Sequence, residues 1–199
     1  KNGGEIDNIR GLVNGFQISS GNIKFTNLKS LEIKGNLNSE LNLKKSDIDN
    51  FVDKKNLKEY ENLKIIGKVK SSFNITLDQI LKISDYSFQA KGSIKTGKIT
   101  FKDPKKYQFI KNEIMNFNIE NSEFKIDFSK NKKKLFNIYG SYQVNNNSIQ
   151  KFSLDQIFSP NEKQFAFEGA FNGEIDVPLL NFNSKSKAVN FATNFEIKN

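Results

Sequence analysis

The sequence predicts a mainly β protein, a curved antiparallel β-sheet with one or two short helices. Two observations carry this. Ile, Val, Phe and Tyr number 52, whereas Leu, Ala and Met number 20. β-Branched and aromatic side chains suit a pleated surface. Apolar and polar residues also alternate with period two along most of the chain. That pattern belongs to strands covered on one face and wet on the other.

The elements follow in order. Phe16–Ile18 and Ile23–Phe25 are short alternating runs, and Leu31–Leu43 is a long one. From Leu63 to Leu77 the odd positions are almost all apolar, including Ile65, Val69, Phe73 and Ile75. The even positions there carry Lys64, Lys68, Lys70 and Asn74. Further runs are Phe88–Ile94, Ile99–Phe101, Met115–Ile119, Phe124–Phe128, Phe136–Val144, Phe165–Val177 and Val189–Ile197. The total is about ten to twelve strands. Ser46 or Asp47 can cap a short helix carrying Ile48, Phe51, Val52 and Leu57. Lys105–Asn116 is ambiguous between helix and strand, with Tyr107, Phe109, Ile110 and Ile114 at mixed spacing after Pro104. The three prolines, 104, 160 and 178, fall at element edges.

Composition removes several function classes. With no His and no Cys there is no zinc finger, thiolate nucleophile or Ser-His-Asp triad. No disulfide can form. No apolar run approaches the ~20 residues of a membrane-spanning helix. Lys1–Arg10 has neither an initiator Met nor a signal-peptide pattern, so the chain is expected to be one segment of a larger protein. The net charge of +9 points towards anionic partners, but only Arg10 among 31 basic residues is Arg, and Asn occurs 28 times. Readers of nucleic acid rely on Arg. The Lys, Asn, Ile and Phe excess is that of AT-rich codons, so no nucleic-acid partner is expected. The densest basic run, Lys130 to Lys134, falls between two strand patterns and is expected at a solvated hairpin tip.

Two recurrences stand out. The pattern apolar-x-apolar-x-Gly-x-apolar occurs around Gly35, Gly67, Gly92, Gly140 and Gly169, each glycine in phase with the large side chains. It predicts a bulge or bend that curves the sheet, or a place where something bulky passes close to the backbone. Leu77-Asp78-Gln79-Ile80-Leu81 also reappears as Leu154-Asp155-Gln156-Ile157-Phe158. This suggests an internal repeat over approximately 73–101 and 150–178, each copy a strand, a turn that plugs the sheet, and a strand. Asp78 and Asp155 have no acid-base partner in the sequence, so neither is taken as catalytic. No catalytic, metal or cofactor residue is expected, and the chain is read as a non-enzyme.

The stretch Ile65-Ile66-Gly67-Lys68-Val69, then Ile75-Thr76-Leu77-Asp78-Gln79-Ile80-Leu81-Lys82-Ile83-Ser84-Asp85-Tyr86, then Ala90-Lys91-Gly92-Ser93-Ile94, resembles the AsmA-like proteins of the YhdP type. Ile9-Arg10-Gly11-Leu12-Val13 and Gly21-Asn22-Ile23-Lys24-Phe25 fit the same pattern. Thr76-Leu77 stands where that family usually has Pro-Leu, which leaves the register of the turn open. The resemblance implies a taco-like β-groove in the periplasmic part of a bacterial protein. Such a protein is anchored in the inner membrane by segments outside this chain and continued by adjacent repeats of the same chain. It implies phospholipid acyl chains as the partner, passed towards the outer membrane.

On that reading the groove lining is Ile33 and Leu37, then Ile65, Val69, Phe73 and Ile75, then Phe88 and Ile94. It continues through Phe136, Ile138 and Tyr142 to Phe165, Phe167, Phe171, Phe191 and Phe195. The alternative is a structural or adhesive β-sandwich module whose apolar faces seal against each other.

Overall fold

The computed structural model describes residues 3–27, 30–48, 57–108, 110–130, 133–159, 162–184 and 188–198. Its strands are β1 (Gly3–Ile6), β2 (Gly11–Val13), β3 (Phe16–Asn27), β4 (Leu31–Lys44), β5 (Tyr60–Leu77), β6 (Ile83–Tyr107) and β7 (Ile110–Ser129). After these come β8 (Lys134–Val144), β9 (Gln150–Ser159), β10 (Glu162–Asn172), β11 (Ile175–Val177), β12 (Phe182–Ser184) and β13 (Ala188–Lys198). One helix, α1 (Lys45–Ile48), and a 3-10 turn at Pro178–Leu180 complete the described elements. All thirteen strands join one sheet, in the order β1-β3-β4-β5-β6-β7-β8-β9-β10-β13, with β2 beside β3 and β11 and β12 off this path. Neighbours are antiparallel. The mainly β curved sheet expected from the sequence is therefore the fold. It is unclosed, since β1 and β13 lie at opposite ends of the path.

Three strands each unite two of the short runs. In β3 the apolar positions are even to Ile18 and odd from Gly21; in β6 they are even to Ile94 and odd from Gly97. In β7 they are odd to Ile119 and even from Ser122. A one-residue slip would turn every later side chain to the wrong face. A β-bulge absorbs the extra residue. Register shifts occur at these places: between Ile18 and Ser20, between Ile94 and Thr96 opposite Ile66 and Gly67, and between Glu120 and Glu123. Asn121, in the β7 irregularity, has φ 45°.

Other expectations are corrected. The ambiguous segment Lys105–Asn116 is strand on both sides of a turn residue, Lys105–Tyr107 ending β6 and Ile110–Asn116 starting β7; Phe109 lies outside the described residues. The run Phe165–Val177 divides into β10 and β11. The short helix begins at Lys45 and is described to Ile48, so Asp47 lies inside its first turn, its carboxylate accepting the Lys44 N–H at 2.8 Å. Leu57 is buried, whereas Phe51 and Val52 lie outside the described residues.

The two Leu-Asp-Gln-Ile segments differ in structure. The first is the β5–β6 turn. There the Asp78 carboxylate accepts the N–H groups of Ile80 and Lys82, both at 2.9 Å. The second lies wholly within β9, where Asp155 pairs with Asn137 on one side and Ala166 on the other. The β9–β10 connection comes only after Ser159, so the repeat does not extend to the position of its turn. Nor does the first turn plug the sheet, since Ile80 and Leu81 are exposed.

Leu81 has φ 60°, in the left-handed region that costs an ordinary residue roughly 1 kcal/mol or more. Asn tolerates it. Leu81→Asn is expected to raise stability by about 1 kcal/mol and the thermal midpoint by about 2–4 °C, read by circular dichroism.

The sheet curls towards its apolar face at one end. Past β10 the chain reaches back to β7, pairing Ile175 with Ile110. The Lys111 N–H donates to the Glu174 carbonyl at 3.0 Å, and the Glu174 N–H to Asn112 Oδ1 at 2.6 Å. Inside this end Ile114, Tyr142, Val144 and Phe171 form the core cluster, with Phe101, Phe117 and Phe152 against it. The other end, with the β5–β6 and β7–β8 turns, has no such cluster among the described residues.

Candidate functional site

Directly paired residues of an antiparallel sheet share a face. The register therefore assembles the apolar face row by row. One row runs Ile23, Gly35, Phe73, Phe88 and Phe128. A second runs Leu37, Ser71, Ala90, Ile126, Phe136, Gln156 and Phe165. A third runs Ile18, Ser39, Val69, Gly92, Phe124, Ile138, Leu154, Phe167 and Thr193. A fourth runs Leu43, Ile65, Gly97, Ile119 and Tyr142. None of these rows contains a charge. The opposite face is wet and basic: Lys70, Lys91 and Lys125 stand directly opposite one another, as do Lys44, Lys64 and Lys98.

Rings form a ladder over five successive strands. Phe117 of β7 meets Tyr142 of β8 at 5.4 Å between centroids, and Tyr142 meets Phe152 of β9 at 5.8 Å. Phe152 meets Phe167 of β10 at 6.5 Å, and Phe167 meets Phe191 of β13 at 5.3 Å. At about 4.8 Å between strands the ladder extends about 19 Å across the sheet. Exposure differs along it: Tyr142, the second ring, is 6 % exposed and Phe191, the last, 40 %. The Tyr142 hydroxyl donates to the Ala170 carbonyl at 2.7 Å. Burial pushes its phenol above the ordinary value of 10.0.

The five motif glycines divide into two groups. Gly67 and Gly140 face bulges: a Cβ on Gly67 would overlap the Ser93 backbone, and one on Gly140 would overlap Ser122. At Gly35, Gly92 and Gly169 an aromatic ring lies close, from Phe73, Phe124 and Phe167 respectively, and at Gly92 the Lys68 carbonyl oxygen is as near. The bulky object passing those backbones is thus the protein's own phenylalanine.

The sixteen residues predicted to line the groove all fall on the apolar face by register. For Phe195 the backbone position alone is described. They are not alike in exposure. Ile138, Tyr142 and Phe171 are buried, and the last two belong to the core of the closed end. Ile33, Leu37, Ile65, Val69, Phe73, Ile75, Phe88, Ile94, Phe136, Phe165 and Phe167 are half-buried. Sequence reasoning missed Leu154, which falls where a turn was expected, and Phe152 just before it. It also missed Phe117, Phe124 and Ile126, although their own alternation was visible. No cluster of three metal-ligating side chains occurs among the described residues. No described helix is long and apolar enough to cross a membrane.

No family model, curated protein or solved structure matches this chain.

Proposed function

We propose that the apolar face binds the acyl chains of phospholipids, and that the chain is one segment of a periplasm-spanning groove of the AsmA-like, YhdP type. One observation supports this above the others: the described strands form a single layer whose apolar rows have no second sheet over them. The surface is accordingly large. The chain exposes 13653 Å², whereas a compact monomer of its 22.8 kDa would expose about 9,600 Å². A sealed sandwich would instead need a second sheet, which is absent among the described residues.

The energetics suit acyl chains. Burying a methylene is worth about 0.8 kcal/mol, so a hexadecyl tail gains on the order of 12 kcal/mol against water. Rows of Ile, Val and Phe present similar contacts at each strand, so a tail can shift from strand to strand without returning to water. The absence of charge from the rows removes the desolvation cost that would block such movement.

The test is lipid capture. Native mass spectrometry of the purified chain should show co-purifying phospholipid, and a fluorescent fatty acid should be taken up from solution. Val69→Asp, at a half-buried position of the third row, should reduce uptake at least tenfold while the far-ultraviolet dichroism stays unchanged. A wild-type chain that carries no lipid and takes up none removes the reading.

A further inference from the structure

β13 ends the path of the sheet, and among the described residues it pairs only with β10. About half of its backbone N–H and C=O groups therefore point outward with no strand to take them. The other edge strands are short: β1 has four residues, β2 three and β12 three. β13 has eleven. Natural proteins block a long edge with Pro, a bulge or an inward charge. β13 has no Pro, and its ladder with β10 runs without a register shift. Its charges, Glu196 and Lys198, fall among its last three residues, in phase with the wet face. Apolar area is left at this edge, since Phe191 is 40 % exposed and Ile197 46 %.

The order of residues in β13 identifies what fits. Outward from Thr193 it reads alike in both directions: Phe191 and Phe195 lie two residues away, Val189 and Ile197 four. Antiparallel pairing of this strand with itself, centred on Thr193, overlaps all eleven residues. It sets Phe191 opposite Phe195, Val189 opposite Ile197, and Thr193 opposite itself. In phase with the wet face, Asn190 meets Glu196, Ala188 meets Lys198 and Ala192 meets Asn194. No like charges stand opposite one another, which would destabilise the pair. Moving the centre by one residue either way cuts the overlap to nine residues and sets a Phe against Thr193. A strand of any alternating sequence can cover an edge. Only a second copy of β13 makes use of this symmetry.

We propose that β13 is the contact of a twofold homodimer, in which the two edges pair antiparallel about Thr193 and the two sheets become one. A twofold interface uses the same patch on both copies, and a self-complementary strand supplies it. Paired residues share a face, so about ten new ladder hydrogen bonds form while the apolar rows run on across the axis. The row of Phe165 and Phe195 continues to Phe191 and Gly169 of the second copy. The inference does not require the groove to hold lipid.

Sedimentation equilibrium of the full chain, over about a hundredfold range of concentration, should approach twice 22.8 kDa at the upper end. Thr193 is exposed, so its substitution should leave the far-ultraviolet dichroism unchanged. Thr193→Lys sets two ammonium groups opposite each other across the axis and should weaken the dimer at least tenfold. Thr193→Glu should do the same with two carboxylates. Mixing the two variants should restore association, because opposite charges then meet. The chain has no Cys, so single cysteines report the register. Directly opposed Cα atoms lie about 4.5–5.5 Å apart, within disulfide reach, so Thr193→Cys should give a covalent dimer on mild oxidation. Asn190→Cys, about 20 Å along the strand from its counterpart, should not. A monomer at every concentration overturns the proposal. So does a dimer indifferent to Thr193→Lys, or equal cross-linking through the two cysteines. Fatty-acid uptake reads the groove alone, so the two readings fail separately.

Discussion

Phe171→Ala is expected to lower the unfolding free energy by about 3–5 kcal/mol, measured by urea denaturation. The ring is 6 % exposed and packs with Ile114, Tyr142 and Val144 where the sheet turns back on itself. Its removal leaves a cavity that a cluster whose buried residues come from three strands, β7, β8 and β10, cannot easily collapse. It also loosens the end at which β11 meets β7. Phe191 lies on the same face but is 40 % exposed. Phe191→Ala should therefore cost only about 1–2 kcal/mol, from lost area and the stack on Phe167. Equal losses for the two variants would contradict a core confined to one end.

The second large effect is expected at a glycine. Gly140→Ala should destabilise by about 3 kcal/mol, because its Cβ would overlap Ser122, including the Ser122 backbone. Ser122 is fully buried, and its hydroxyl already donates to the Glu120 carbonyl at 3.0 Å. It has nowhere to move without breaking the bulge that sets the register of β7 against β8. Gly97 is the internal comparison. Its nearest neighbours would lie 3.5 Å and 3.6 Å from a Cβ, an ordinary contact distance. Gly97→Ala should be neutral, or stabilise by about 0.4–1 kcal/mol through the unfolded chain. Thermal midpoints of the two variants check the contrast, and a similar fall in both would remove the bulge argument.

How far the sequence could be read depended on which forces act locally. The alternation at Leu63–Leu77 was legible because β5 keeps one phase over those residues. In β3, β6 and β7 the phase flips, so each strand looked like two. The information that joins the halves lies in the partner strand, at Gly67 and Gly140. The repeated Leu-Asp-Gln-Ile segment fails for a related reason. Around Asp78 the carboxylate wins the local backbone N–H groups and makes a turn. Around Asp155 both flanks are taken by ladders with β8 and β10, so the same residues run straight. Lys105–Asn116 had no clear period because it spans the end of one strand and the start of the next: Tyr107 of β6 is exposed, whereas Ile110 and Ile114 of β7 pack in the core cluster.

The sequence by itself determined a mainly β chain with one apolar face and one wet, basic face. Period-two spacing fixes the side of the sheet wherever the partner strands lie. Only the tertiary structure decided what that face does in each place. Register shifts at the bulges and the return of β11 to β7 close one end, so Tyr142 and Phe171 became core. Val69 and Phe73, equally apolar in sequence, remained half-buried along the open part. Curvature is a property of strands pairing across long separations, and no single run of residues encodes it.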